Sequence, residues 1–274
     1  MDLSTSSPVA DLASTLRRRN EGPVAVLTLC DAKRRNALSL ATIAALHVAL
    51  DDIAADAGIR AVVIEAEGPA FSAGHDLKEL TAHRGDDDGG RAYFTKTFGN
   101  CAAMMQAITA LPQPVIAAVE GVATAAGCQL VAACDLAVAG EDAQFATPGV
   151  NIGLFCSTPM VALSRNVPRK HAMELLLTGE LTGAQEAARI GLVNRVVARG
   201  QALAGALDFG RKIAAKPAST VSLGKRAFVR QLEMPLAEAY AFTTRVIVEN
   251  MLHPDAAEGI CAFIEKRAPN WGKP

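Results

Sequence analysis

The sequence predicts an α/β domain with buried, largely parallel strands, followed by a helical C-terminal region. Three observations carry this. Short β-branched runs bounded by breakers alternate with amphipathic stretches in the first part of the chain. Those runs are mostly apolar on both faces, as buried parallel strands are. After about residue 157 the strand signals fade, apart from Leu192 to Val197, and helical patterns take over.

Taken in order, residues 1–20 read as a disordered or flexible N-terminal tail. Met1 to Arg19 is Ser-rich and lacks an apolar run of signal-peptide length. Arg17, Arg18 and Arg19 hint at a transit peptide, and Asp2 and Asp11 weaken that hint. Residues 23–30, 60–66, 114–119 and 133–139 read as strands. Leu40, Ile43, Leu46, Leu50 and Ile53 form one apolar stripe, with Ser39 placed as its N-cap. A second helix fits 97–110, and Gly85 to Gly90 reads as an exposed acidic loop. Further helices fit 169–177, 183–190 with Thr182 as N-cap, 200–215, 218–231, 235–251 and 255–267. Pro168, Pro217, Pro235 and Pro254 stand near helix starts, where proline is tolerated. The α/β core is expected over 21–200 and the C-terminal helical region over 201–274.

Composition narrows the function. The 274 residues are half hydrophobic, enough for one large core. Aromatics make up only 4%, so alanine, valine and leucine must fill the interior. A net charge of -1 gives no global field for nucleic acid or an acidic membrane, although local basic clusters can still bind phosphate. The uncharged stretch from Gly121 to Cys134 is too short to span a bilayer and contains Gln129. The six cysteines show no CxxC pair, so no metal site is expected, and the pattern suits a reducing compartment, cytoplasmic or matrix.

Two segments carry chemistry. Phe71 to Leu80 runs from a strand through Gly74 into a helix opened by Asp76. Val119 to Leu130 repeats that construction, with Ala125, Ala126 and Gly127 allowing very close approach. One such turn is only tight packing. Two of them can aim two backbone amides at one oxygen.

At this point the residues resemble a known family. Asn36 to Ser39, Phe71 to Leu77 and Gly121 to Leu130 are similar to the three signature stretches of the crotonase (enoyl-CoA hydratase/isomerase) family. Gly191 to Val193 and the closing Glu258-Gly259, Phe263 and Lys266-Arg267 are similar too. The runs GHDLKEL, ATAAGCQLVA and FATPGVN-GLFCSTP point to one subgroup within it. The resemblance implies a crotonase-like spiral of repeated ββα units with a C-terminal helical trimerisation region, assembled as a homotrimer or dimer of trimers. It implies an acyl-CoA substrate, with coenzyme A as part of that substrate and no permanently bound cofactor. The thioester oxygen is expected between the amides of His75 and Ala126. Arg34, Arg35, Ala37, Ala73, His75, Asp76 and Leu77 are expected at the CoA, with Phe263 and Lys266 reaching the nucleotide of a neighbouring subunit.

The pattern also departs from the family. The two hydratase glutamates fall on Gln129 and Gly149, and neither replacement exchanges protons near neutral pH. Efficient hydration is therefore not expected. Asn151, Cys156, Ser157 and the His75 side chain complete a weakly basic pocket, with the His75 ring expected to point away and Cys156 expected to be an inert thiol. Decarboxylation of a malonyl-type thioester needs no strong base, and Gly74 to Asp76 and Val150 to Gly153 are similar to a decarboxylase of this family. A non-catalytic acyl-CoA binder is the other alternative. If the frame is intact, glutamates restored at both 129 and 149 should raise hydration.

Overall fold

The computed structural model describes residues 15–271. The chain opens with β1 (Leu16–Glu21), β2 (Val24–Leu29) and α1 (Leu40–Ala54). Three ββα-type units follow. They are β3 (Ala61–Ala66) and β4 (Ala70–Ser72) with α2 (Leu77–Ala82) and α3 (Arg91–Ala110); β5 (Val115–Val119) and β6 (Val122–Thr124) with α4 (Ala126–Ala133); and β7 (Leu136–Gly140) and β8 (Gln144–Ala146) with a 3-10 turn at Pro148–Ile152. Next come α5 (Pro159–Leu163), α6 (Arg169–Thr178), β9 (Thr182–Gly183), α7 (Ala184–Arg189) and β10 (Arg195–Val197). The chain closes with α8 (Ala202–Ala214), α9 (Ala218–Gln231), α10 (Leu236–Leu252) and α11 (Pro254–Ile264).

Each unit gives its first strand to one sheet and its short second strand to another. The large sheet has the order β1-β2-β3-β5-β7-β10 and the small one β4-β6-β8-β9. Every pairing is parallel except β1 with β2 and β8 with β9. This is a spiral of ββα units.

The period of two along each strand explains why the central strand runs are largely apolar at successive positions. Val62, Ile64, Val115 and Ala117 face the main core with Leu46, Leu50 and Phe145. Their neighbours Ala61, Val63, Ile116 and Ala118 face the opposite way, against Ala202, Ala206 and Leu207 of α8. Thus α8, expected with the C-terminal helices, seals one face of the large sheet. α9 is pinned through Lys225, whose buried ammonium donates to Asp135 at 2.6 Å and to the carbonyls of Ile108 and Gln113. Burial lowers the Lys225 pKa and raises that of Asp135, and the attraction between them opposes both shifts.

The long elements stand where the sequence puts them, and Ser39 caps α1 by accepting from the Thr42 amide. Four expectations need correction. Residues 16–20 are not tail: β1 pairs with β2 over its whole length, and Arg17, Arg18 and Arg19 meet Glu67, Asp56 and Glu65. The remainder of that expectation, residues 1–14, lies outside the described residues. The strand expected over 133–139 is β7, shifted because α4 runs on to Ala133. α3 starts at Arg91 rather than 97: Gly90 takes the N-cap position, and the Asp88 carboxylate just before it accepts from the amides of Gly90 and Ala92. Thr182 is not an N-cap: it pairs with Phe145 in β9, and Gly183 takes the cap position.

Candidate active site

The site is built at the carboxyl ends of β4, β6 and β8, which lie side by side and parallel, so their following turns emerge together. The first turn follows Ser72. It is stitched to the loop before α1: the Ala73 amide donates to Arg35 O at 3.0 Å and the Leu38 amide to Gly74 O at 2.8 Å. The Ser72 hydroxyl donates to Asn36 O at 2.8 Å, and the Asn36 side chain donates to Glu67 O and Ala70 O, each at 2.8 Å. Asn36 holds a left-handed φ of 50°, which asparagine tolerates better than most residues. Asp76 then caps α2, accepting from the amides of Lys78 and Glu79 and from the Arg34 guanidinium.

The second turn follows β6. Ala125 sits at φ 50° and ψ -117°, a sparsely populated region for a residue with a side chain. It is held there by its amide donating to Ala146 O at 2.9 Å, and α4 begins at the next residue. The two turns touch. A Cβ on Gly74 would stand 2.9 Å from Ala125 Cβ and 3.1 Å from the Ala126 nitrogen. A Cβ on Gly127 would stand 2.2 Å from Ser72 O, so the first turn of α4 lies directly on β4. Among the described residues, neither the His75 nor the Ala126 backbone N–H has an acceptor.

The side chains around these amides are neutral. His75 Nδ1 lies 3.3 Å from Leu38 O, which can only accept, so Nδ1 carries the proton. The ring packs edge-on against Phe98 at 5.0 Å, and Nε2 is buried without a partner. The ring is thus packed inward against Leu38 and Phe98. Burial holds its pKa below the usual histidine value, which keeps it uncharged. Gln129 is 5% exposed, and its Oε1 is buried without a partner. Burial pushes the Cys128 thiol up to about 12 and raises that of Cys156, so neither is a thiolate at neutral pH.

Two sequence expectations fail here. Position 149 offers no free space: a Cβ on Gly149 would stand 2.6 Å from Leu154 O and 2.9 Å from Cys156 Sγ. The 3-10 turn has folded the following loop back onto Gly149, with the Leu154 amide donating to its carbonyl at 2.9 Å. A glutamate cannot simply be restored there. Asn151 is exposed, and its amide nitrogen stands 3.0 Å from where a Gly179 Cβ would lie, so it faces the end of α6 and not the pocket.

Of the residues expected at CoA, Arg34, Arg35, Ala73 and Leu77 lie exposed around the first turn, with Ala37 buried beneath it. The Arg34 guanidinium is shared between Asp31 at 2.6 Å and Asp76 at 3.3 Å. Phe263 and Lys266 lie on α11 and just after it, both exposed, and no hydrogen bond or ion pair among the described residues joins them to the turns. A cleft of about 410 Å³ lined by Asp88, Gly89, Arg91, Phe94, Thr95 and Phe98 opens at the start of α3, and Phe98 also packs against the His75 ring. Sequence reasoning missed Thr147. It stands at the end of β8, 1% exposed, with its hydroxyl unpartnered. Only its place before Pro148 signalled it, and a three-residue strand leaves no periodicity to read. Among the described residues no group of three His, Cys, Asp or Glu could hold a metal ion, and no helix is long and apolar enough to cross a membrane.

Comparison with known proteins agrees with this geometry. Residues 19–274 match the family model for enoyl-CoA hydratase/isomerase. The mitochondrial enoyl-CoA hydratase domain-containing protein 3 of Rattus norvegicus is 47% identical over 266 residues, covering 97% of this chain and 87% of that protein. A crystal structure of an enoyl-CoA hydratase from Mycobacterium smegmatis superposes with a TM-score of 0.89 at 51% identity, covering 94% of this chain and 98% of that one. The crystal structure of human enoyl coenzyme A hydratase domain-containing protein 3 also gives 0.89, at 46% identity, covering 94% and 100%. That is the subgroup to which the three sequence runs point.

Proposed function

Because the chain belongs to the enoyl-CoA hydratase/isomerase family, we propose that it binds an acyl-CoA thioester and stabilises negative charge on its carbonyl oxygen with the backbone amides of His75 and Ala126. The observation that carries this is the contact between the two turns. Gly74 lies against the Ala126 nitrogen, and both neighbouring N–H groups are left without acceptors. Two fixed donors aimed at one oxygen favour the enolate over the thioester, and removing one typically costs about 3 kcal/mol of barrier. CoA lies along the loop of Arg34, Arg35, Ala73 and Leu77, and the acyl chain runs toward Phe98 and Phe94.

The same site lacks the carboxylates that would activate water. Gln129 and Gly149 replace them, desolvation lowers the pKa of the half-buried His75 ring, and burial raises those of the Cys128 and Cys156 thiols. The protein is therefore a weak or specialised hydratase at most. Decarboxylation of a malonyl-type thioester fits the uncharged site as an alternative, because loss of CO2 makes the enolate without a base. A non-catalytic acyl-CoA binder is the third reading. The exposed Phe228, Leu236, Tyr240, Leu252, Phe263 and Ile264 of α9 to α11 form the surface for a homotrimer or a dimer of trimers. A cytoplasmic location, or the mitochondrial matrix in a eukaryote, fits this reading, and relatives named as mitochondrial support the second.

Titration calorimetry with several acyl-CoAs tests the binding, beside loss of enoyl absorbance from crotonyl-CoA and CO2 release from methylmalonyl-CoA. Binding with little hydration is expected. CO2 release selects the decarboxylase, and no turnover selects the binder. Failure to bind any CoA thioester overturns the reading.

A further inference from the structure

A cavity of about 190 Å³ opens where the α/β core meets the C-terminal helices. It is lined by residues just before β3 and β5, by the end of α8 and by the first turn of α9. It therefore sits at the amino ends of strands whose carboxyl ends lead toward the two turns of the candidate active site. Ile59, Pro112, Ile213 and Val221 make the lining largely apolar. Its walls are fixed by hydrogen bonds. The buried Gln113 side chain donates to Ile53 O at 2.9 Å, the Gln113 carbonyl accepts from Lys225 Nζ at 3.1 Å, and the Arg60 amide donates to Pro23 O at 2.8 Å. The cavity is thus already formed in the fold, as small-molecule sites usually are.

The polar groups of the lining define what it accepts. Among the described residues, Arg60 is the only charged one that lines the cavity, and it has no acidic partner. Its guanidinium makes one hydrogen bond, from Nη2 to Lys216 O at 2.5 Å, and keeps its other donors for a ligand. Ser222 adds a hydroxyl to the same lining. A guanidinium fork matches a carboxylate in shape and charge. An apolar cavity of about 150 Å³ holds a benzene ring, so this one has room for a single ring or a short alkyl chain. A CoA thioester, with its nucleotide and its phosphates, is too large and too polar for it.

We propose that this cavity binds a small free monocarboxylate, with the hydrocarbon part among Ile59, Pro112, Ile213 and Val221 and the carboxylate on Arg60 and Ser222. The ligand spans the core, α8 and α9, and so braces their junction. This inference does not rest on the acyl-CoA reading.

Calorimetry on the full chain with hexanoate, hexanol and acetate tests it. Hexanoate should bind at one site with a Kd of about 1 mM or tighter, well inside the ceiling for a ligand of its size. Hexanol lacks the charge and acetate lacks the tail, so each should bind about tenfold more weakly. Arg60→Gln should weaken hexanoate about tenfold and leave hexanol unchanged, whereas Arg60→Lys should retain most of the hexanoate affinity. Val221→Phe fills the space and should weaken hexanoate and hexanol together, with circular dichroism checking that each variant is folded. Saturating butyryl-CoA should leave hexanoate binding unchanged. No hexanoate binding by the wild type, an affinity unmoved in the folded Arg60→Gln and Val221→Phe variants, or displacement by butyryl-CoA overturns the proposal and leaves the acyl-CoA reading standing.

Discussion

The two positions at which the hydratase glutamates were expected, Gln129 and Gly149, differ in kind. At Gln129 the side chain keeps its length, stays buried at the start of α4 and leaves one oxygen unpartnered. At Gly149 the loop has closed over the position, with Leu154 O and Cys156 Sγ standing where a Cβ would go. The first position houses a side chain of glutamate's shape. The second has no room for one. Substitution reaches the one and not the other.

The sharpest way to break this contrast is Gly149→Ala. Its new methyl must displace a backbone carbonyl, so it should cost about 1–3 kcal/mol, and Gly149→Glu more. Denaturant unfolding measures both, and a Gly149→Glu protein as stable as wild type would show that the loop yields easily. Gln129→Glu should fold, at a smaller cost that depends on pH. A buried carboxyl takes a raised pKa, so its penalty is absent below the unfolded value and grows as pH rises toward neutrality. Melting curves for this variant and wild type should diverge between about pH 4 and 7.

His75 carries the opposite sign. Its folded pKa is depressed, so its share of stability is present above the unfolded value near 6.5 and is lost as pH falls through the folded one. His75→Ala keeps the backbone N–H and should flatten the melting temperature below that pH relative to wild type. An unchanged slope would mean that the ring is not buried as described. The smallest effect is expected at the other turn. Ala125→Gly removes the strain of φ 50° at the cost of a looser unfolded chain, for a net gain of roughly 1 kcal/mol.

How much of this was legible follows element size. The core strands and long helices were read because stripes such as Leu40 to Ile53 and runs such as 114–119 are many residues long. The small sheet that positions the site was not, because β4, β6 and β8 are three residues each. The two turns were legible as glycine and small-residue segments, which record close approach directly, while the assignment of the amides to His75 and Ala126 came from the family resemblance. Three features had no such record: the closed space at Gly149, the outward turn of Asn151 and the orphaned hydroxyl of Thr147. Each depends on what a distant carbonyl or helix end does in three dimensions. The diversion of Arg34 onto Asp31, by contrast, sat in plain view at i,i+3 spacing.

The most direct measurement is a crystal structure with acetoacetyl-CoA bound. The thioester oxygen should lie about 2.7–3.1 Å from the backbone nitrogens of both His75 and Ala126. A bound ligand whose carbonyl lies beyond hydrogen-bonding reach of either nitrogen would contradict the shared role of the two turns.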